Sequence, residues 1–140
     1  MNNRWLLVSL CVSLCVTLCG QTRTSSSSTE HQQTMDLSKI TNDTVKKAVE
    51  ALQAGDKAWY TFFTANPAMT DDGTKVDFND FFSNALGKEK FLSIDKVEND
   101  GKEVYGKFQA GSWGIFKVFF KFHQNAQGKF DRLDIGQARY

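Results

Sequence analysis

The sequence predicts an α+β fold in which helices come first and an antiparallel sheet follows. Before Gly87, apolar residues repeat every three or four positions, which is the period of an amphipathic helix. After Gly87, apolar and polar residues alternate, which is the period of a half-buried strand. Turn sequences such as Asn99-Asp100-Gly101 separate the alternating segments, as in a series of hairpins.

Two helices are predicted in the first part of the domain. The first begins at Ser38 or Thr41 and ends at Ala54, where Gly55 is a typical helix end. The second covers residues 57–64, is dense in aromatic side chains, and is stopped by Asn66-Pro67.

A third helix follows a short extended piece at residues 68–70. That piece leads into Asp71-Asp72-Gly73, a turn sequence. Asp77 is the expected cap of the third helix, which covers residues 78–86 and ends at Gly87. Three helices are therefore expected to pack on one face of a curved antiparallel sheet.

Four strands are predicted after Gly87, at residues 91–98, 102–110, 113–123 and 129–138. One face of the third strand is apolar throughout and is expected to face a core or a pocket. The opposite face alternates aromatic residues with Lys and His, which is too aromatic for free solvent and too charged for an interior. We therefore expect a homodimer through the outer sheet face, with contacts from Trp113, Ile115 and Phe119.

Residues 1–20 have the three parts of an export signal. Arg4 supplies a positive charge, residues 5–18 carry no charge, and Cys19-Gly20 lies at the small-residue boundary. The uncharged run is shorter than the roughly 20 apolar residues that a membrane-spanning helix needs. We expect an exported protein that is periplasmic, cell-surface or secreted. Cys19 is in addition a candidate lipidation site of a bacterial lipoprotein signal, although Leu18 stands where such signals usually have a smaller residue.

The segment after the signal differs in composition from both of its neighbours. Residues 21–35 are rich in Ser and Thr and have almost no apolar side chain to bury, so a flexible tether is expected. The folded domain then covers residues 36–140. All three cysteines precede residue 20, so the domain must be held by its core and not by disulfides.

Charge and composition exclude several classes of function. The chain has 17 Lys and Arg against 16 Asp and Glu, so it lacks the basic excess of a nucleic-acid-binding protein. The domain has no cysteine and a single histidine, His123, so neither a metal site nor a nucleophilic triad is expected. No cofactor is predicted.

The order of these elements resembles a known superfamily. The sequence Ala51-Leu52-Gln53-Ala54-Gly55-Asp56, a second aromatic helix, Asp71-Asp72-Gly73, and four strands ending in Arg132-Leu133-Asp134-Ile135 are similar to the nuclear transport factor 2-like superfamily. The resemblance covers roughly residues 37–138 and suggests an exported bacterial member. It implies the cystatin-like cone fold of the SnoaL-like cyclases and steroid isomerases, in which three helices and a bent sheet enclose a pocket.

The resemblance also implies which residues line that pocket. The expected walls are apolar and suit a small hydrophobic molecule. They are Trp59, Phe63, Phe78, Phe82, Phe116, Val118, Phe120, Leu133 and Ile135. The alternative is that these side chains simply fill the cone.

The same resemblance places a catalytic base at Asp71. Steroid isomerases of this fold also use a Tyr and a protonated acid as an oxyanion hole, and those positions fall near Ala48 and Val118, which cannot donate hydrogen bonds. Tyr60, Tyr105 or Gln137 could supply a different donor. The alternative is that Asp71 lies in a solvated turn and has no catalytic role.

Three functions stay open on the sequence alone. The first is an exported domain that binds a small apolar molecule without catalysis. The second is a SnoaL-like isomerase, cyclase or dehydratase with Asp71 as general base. The third is a dimeric protein-interaction module with a filled core.

Overall fold

The structure is a computed structural model that describes residues 35–140. The predicted export signal, Cys19 and all but the last residue of the predicted tether lie outside the described residues. Within residues 35–140, no helix has both the length and the apolar character needed to cross a membrane.

Helix α1 spans Asp43–Ala54 and buries one face in the core. It begins at Asn42, whose Oδ1 accepts a hydrogen bond from the backbone N–H of Val45 at 3.0 Å. It ends at Gly55, which has a φ of 65°. A Cβ at Gly55 would lie 2.7 Å from the Cα of Gly87, so this contact between two chain segments needs glycine.

The aromatic segment after α1 forms a short 3₁₀ helix and then a strand. The first 3₁₀ helix spans Lys57–Phe62, and strand β1 spans Phe63–Asp71. The predicted helix therefore extends too far, and the predicted extended piece at residues 68–70 is too short. The physical reason is a non-local pairing, since Phe63 lies beside Phe130 in a parallel ladder with β6. Pro67, which has no N–H to donate, lies where the register of that ladder shifts.

A tight hairpin turn and the second α-helix follow. Strand β2 spans Thr74–Lys75 and pairs antiparallel with β1 around Asp72-Gly73. Both turn residues have positive φ, 47° and 82°, as a primed two-residue hairpin turn requires. Helix α2 spans Phe78–Ala85, and the Oδ1 of its cap Asp77 accepts from the N–H of Asp80 at 2.9 Å.

The four predicted strands are present, and the sheet has six strands in the order β2-β1-β6-β5-β4-β3. The remaining strands are β3 Lys90–Glu98, β4 Glu103–Gln109, β5 Ile115–Gln124 and β6 Phe130–Gln137. The α+β class with helices packed on a sheet is confirmed. The sheet is mixed, because β1 runs parallel to β6 while the other pairs are antiparallel. Trp113 lies in a second 3₁₀ helix, Gly111–Trp113, and not in a strand as the alternation predicted.

The core is built largely from aromatic rings. The ring of Trp59 lies 4.8 Å from Phe63 and 4.8 Å from Phe82, and Phe63 lies 4.4 Å from Phe78. We call this group the aromatic core, and its members are Trp59, Phe63, Phe78, Phe82, Phe122 and Phe130. Burial of one such side chain stabilises the fold by about 1.5 to 3 kcal/mol, so this cluster anchors the helices to the sheet.

Candidate functional site

A cavity of about 330 Å³ opens where β1 and β6 end and where β4 turns into β5. We call it the aromatic cavity, because five aromatic side chains line it. They are Phe81, Phe108, Trp113, Phe116 and Phe120. The other lining residues are Asp71, Asp72, Glu89, Ala110, Val118, Ile135, Gly136 and Gln137.

The apolar walls come from residues that alternate along β5 and from their neighbours across the sheet. Phe116, Val118 and Phe120 follow one another at a spacing of two, so they share one face of β5. Phe120 pairs with Ile135 on β6, and Phe116 pairs with Phe108 on β4. The sheet therefore supplies a continuous apolar wall that three strands share.

Trp113 stands at the mouth of the aromatic cavity. It lines the cavity and yet has 84% of its surface exposed, which is unusual for the largest apolar side chain. Its backbone N–H donates to the carbonyl of Ala110 at 2.9 Å, and Gly111 and Gly114 on either side have φ of 51° and 114°. The short 3₁₀ helix thus presents an indole ring beside the opening.

Carboxylates supply most of the polar character of the aromatic cavity. Asp71 ends β1, and Glu89 lies between α2 and β3; each is half-buried. Within residues 35–140, neither side chain makes a hydrogen bond or an ion pair. Asp72 differs, because its Oδ1 accepts a hydrogen bond from the backbone N–H of Gln137 at 2.8 Å. Asp72 therefore has a structural partner, whereas Asp71 and Glu89 have none among residues 35–140.

Burial sets the electrostatics of these two carboxyl groups. Burial raises the pKa of Asp71, and the neighbouring charge of Asp72 raises it further. Burial likewise raises the pKa of Glu89, and the charge of Asp71 adds to the shift. Two carboxyl groups with raised pKa values therefore line the same apolar cavity, which is an arrangement suited to holding or moving a proton.

The predicted site residues fall into two groups. Asp71, Phe116, Val118, Phe120 and Ile135 line the aromatic cavity. The second group is buried in or beside the aromatic core and does not line the cavity. Its members are Trp59, Phe63, Phe78, Phe82 and Leu133. Four of the nine predicted wall residues thus line the aromatic cavity, and the other five are buried away from it.

Several residues of the site are not among those that the sequence predicts. Glu89 lies between two exposed lysines, Lys88 and Lys90, and reads as part of a charged loop. Phe81 and Phe108 read as ordinary core positions. The local pattern contains no signal that would separate Glu89 from its neighbours, because its place in the cavity wall depends on tertiary packing.

The other candidate donors are dispersed. Of the three candidates, Gln137 lines the aromatic cavity, and Tyr60 and Tyr105 do not. The hydroxyl of Tyr105 donates to Glu103 at 2.9 Å. Burial raises the pKa of Tyr60, whose ring packs edge-on against Phe78 in the core. The Nε2 of His123 lies 2.8 Å from the Oδ2 of Asp134, and His123 does not line the aromatic cavity.

The outer face of the sheet carries aromatic residues and lysines in contact with one another. The Nζ of Lys96 lies 4.5 Å from the ring centre of Tyr105, and the Nζ of Lys117 lies 4.5 Å from that of Tyr140. The hydroxyl of Tyr140 donates to Asp95 at 2.5 Å. Burial and this hydrogen bond raise the pKa of Tyr140 to about 12. Tyr140 therefore covers part of the face on which the sequence predicts a dimer contact.

Of the three predicted contact residues, Ile115 has the clearest exposure on that face. Ile115 is 57% exposed, while Phe119 is half-buried and packs against Gly136. Trp113 lies at the mouth of the aromatic cavity. Among residues 35–140, no three His, Cys, Asp or Glu side chains lie close enough together to hold a metal ion.

Comparison with solved structures defines the fold. The orange carotenoid protein of Anabaena (Nostoc) sp. PCC 7120, with canthaxanthin bound, aligns at 23% identity and a TM-score of 0.53, over 69% of this chain and 35% of that chain. A protein from Sphaerobacter thermophilus aligns at 14% identity and a TM-score of 0.54, over 70% and 95%. A computationally designed 17-OHP binder aligns at 13% identity and a TM-score of 0.50, over 65% and 87%.

These likenesses define a fold class. The chain has the nuclear transport factor 2-like cone fold, so the fold that the resemblance implied is confirmed. The chain spans about a third of the length of the carotenoid protein. No protein-family model and no curated protein matches the sequence.

Proposed function

We propose that the domain is an exported binding protein whose aromatic cavity takes a small hydrophobic molecule. The observation that carries the proposal is the cavity of about 330 Å³ with five aromatic rings in its wall. Affinity would come from buried apolar area, and the few polar groups would orient the ligand. The carotenoid protein binds canthaxanthin and the designed protein binds 17-OHP, so proteins that contain this fold include binders of small molecules.

The test is to fill the cavity and measure the binding of an apolar probe. Val118→Trp places a bulky ring in the cavity wall, and Ile115→Trp adds the same ring at an exposed position of the same strand. With 1-naphthalenemethanol as the probe in calorimetry, we expect Val118→Trp to weaken binding by at least about tenfold. Ile115→Trp should bind as the unsubstituted protein does. Equal binding by both variants, or no binding by the unsubstituted protein, would overturn the proposal.

A second candidate function is proton transfer with Asp71 as the general base of an isomerase, cyclase or dehydratase. The unpartnered position of Asp71 in the cavity and its raised pKa favour it. The test is deuterium incorporation from D₂O into 2-tetralone, an apolar ketone with acidic α-hydrogens. Loss of exchange in Asp71→Asn and Asp71→Ala, with binding of 2-tetralone retained, would support this function. Unchanged exchange would end the role of Asp71 as base.

A homodimer through the outer sheet face is a separate proposal. Ile115 and Leu92 are 57% and 44% exposed, which supports a contact surface near one end of the sheet. Sedimentation equilibrium at micromolar concentration should give a dimer mass, and Ile115→Glu should give the monomer. A monomer mass for the unsubstituted protein would exclude the interface.

Export and a lipid anchor at Cys19 rest on the sequence of residues 1–20. Intact mass spectrometry of the protein purified from its own host tests both. A mature chain that begins at Cys19 and carries acyl mass would establish the lipoprotein. A chain that begins after Gly20 without acyl mass would establish a cleaved and unlipidated form, and a full-length chain would contradict export by cleavage.

A further inference from the structure

The charge of the groups that line the aromatic cavity is of one sign. Among the described residues, Asp71, Asp72 and Glu89 are the ionisable side chains in its wall, and no Lys, Arg or His lines it. Lys88 and Lys90, which flank Glu89 in the sequence, are exposed and do not line the cavity. An anionic ligand would therefore meet repulsion in this cavity and no compensating partner.

Like the carboxylates, the aromatic rings attract cations. The face of an aromatic ring carries partial negative charge and attracts cations, most strongly in Trp. Five rings line the aromatic cavity, and the indole of Trp113 stands at its mouth. The rings and the carboxylates together favour a ligand that has an apolar body and a positively charged group.

The carboxylates of Asp71 and Glu89 are partly desolvated without a compensating interaction among the described residues. A carboxylate that is half-buried without a hydrogen bond has lost part of its hydration and has gained nothing in return. Asp72 has a backbone donor, but Asp71 and Glu89 make no hydrogen bond or ion pair within the described part of the chain. A ligand with a positive charge would supply that missing partner to both groups at once.

We propose that the aromatic cavity is specific for hydrophobic amines, with the protonated amine held between Asp71 and Glu89 and the apolar body held by the aromatic rings. This inference rests on the proposed binding function and narrows it to one ligand class. Glu89 becomes a specificity-determining residue, because its charge selects the amine over an uncharged molecule of the same shape.

The experiment compares three probes with the same apolar body. They are 1-naphthylmethylamine, which is a cation at pH 7, the neutral 1-naphthalenemethanol, and the anionic 1-naphthoate. Calorimetry with the full chain should show the amine binding about tenfold more tightly than the alcohol, and the naphthoate binding more weakly than either.

Paired variants assign the preference to the two carboxylates. Asp71→Asn with Glu89→Gln keeps the shape of both side chains and removes their charges. In this variant the ratio of amine to alcohol affinity should fall from about ten to about one. Glu50→Gln with Asp131→Asn removes two exposed charges outside the cavity and should leave the ratio unchanged.

The outcomes separate this inference from the function on which it rests. If the alcohol and the amine bind equally to the unsubstituted protein, the cavity binds apolar molecules and the amine specificity is overturned. If the preference persists in the Asp71→Asn, Glu89→Gln variant, the assignment to these residues is overturned. If none of the three probes binds, the binding function itself fails, and the amine specificity fails with it.

Discussion

The side-chain amide of Gln53 forms a two-way hydrogen bond with the backbone of Phe91. Its Nε2 donates to the Phe91 carbonyl at 2.9 Å, and its Oε1 accepts from the Phe91 N–H at 2.7 Å. Strand β3 is at the edge of the sheet, so these backbone groups have no neighbouring strand on that side. A side chain of α1 thus takes the place of a strand partner and ties the first helix to the edge of the sheet.

Replacement of Gln53 by Ala should lower the free energy of unfolding by about 1 to 3 kcal/mol, because two backbone groups of a buried residue lose their partner. Urea denaturation followed by circular dichroism measures the change. Gln127→Ala is the matched control, since Gln127 is exposed in a loop and its side chain makes no hydrogen bond among the described residues. Equal stability of the two variants would show that the Gln53 bridge contributes nothing.

The raised pKa values of Asp71 and Glu89 predict a stability that falls as pH rises. The native state holds these protons to a higher pH than the unfolded chain does, whose groups titrate near 3.8 and 4.5. Stability is therefore lost as pH rises from those values through the raised ones, and it stays lower above them.

Variants with neutral side chains at positions 71 and 89 should not lose stability in this way as pH rises. Asp71→Asn with Glu89→Gln should have a higher Tm than the unsubstituted protein at pH 7. The difference should shrink as the pH falls below 3.8, where both carboxyl groups become protonated in the folded and the unfolded state. Thermal melts across this pH range test the prediction. Asp131→Asn, which removes an exposed charge, should follow the unsubstituted protein at every pH. A lower Tm for the double variant at pH 7 would contradict the assigned burial.

Asp134 predicts the opposite pH dependence on the outer face of the sheet. Burial alone would raise the pKa of Asp134, but hydrogen bonds from Thr70, Arg132 and His123 together lower it. The hydroxyl of Thr70 and the Nε of Arg132 lie 2.7 Å and 3.0 Å from Oδ1. Because the folded pKa is lowered, this group stabilises the fold above the usual value of 3.8, and the contribution is lost as pH falls through the folded value.

Asp134→Ala should therefore destabilise the protein at pH 7 by about 1 to 3 kcal/mol and have a smaller effect under acidic conditions. Denaturant titrations at pH 7 and pH 3 give the two differences. Thr70→Val removes a single hydroxyl from the cluster and should cost less than Asp134→Ala at pH 7. A difference for Asp134→Ala that grows on acidification would refute the sign.

Trp113 should contribute to binding and not to stability. Its side chain is 84% exposed and lines the mouth of the aromatic cavity. Trp113→Ala should weaken the binding of 1-naphthalenemethanol by about fivefold to tenfold, through the loss of one aromatic contact. The Tm should change little, because the ring is not packed in the core. Ile115→Ala, at a neighbouring exposed position outside the cavity, should leave the affinity unchanged.

The local signals of the sequence predicted what lies close together along the chain. Asp77 caps a helix in the structure as predicted, and the first helix begins at Asp43, two residues after Thr41, the later of its two predicted starts. The strands after Gly87 agree within a few residues with the predicted ones, apart from Trp113. These features depend on side chains that act on backbone groups a few positions away, so a single sequence contains their signal.

The pairing of distant strands was not predicted, because it depends on residues that lie far apart in the sequence. The parallel pairing of β1 with β6 joins residues more than sixty positions apart, and it converts the end of a predicted helix into strand. The same pairing brings Asp71 beside Ile135 and so into the wall of the aromatic cavity. Glu89 enters that wall only because the loop after α2 packs there.

The amino-acid sequence by itself determined the α+β class, the order of helices and strands, the apolar face of β5 and the likeness to the cone fold. The class, the order of elements and the apolar face follow from periodicity and turn residues, which are local, whereas the likeness to the cone fold rests on the family resemblance. Tertiary structure decided which aromatic residues fill the core and which surround a cavity, and it decided that Glu89 joins Asp71 there. The residue type alone does not separate Phe82, which is buried in the core, from Phe81, which lines the cavity. The difference depends on how residues distant in sequence pack around each ring.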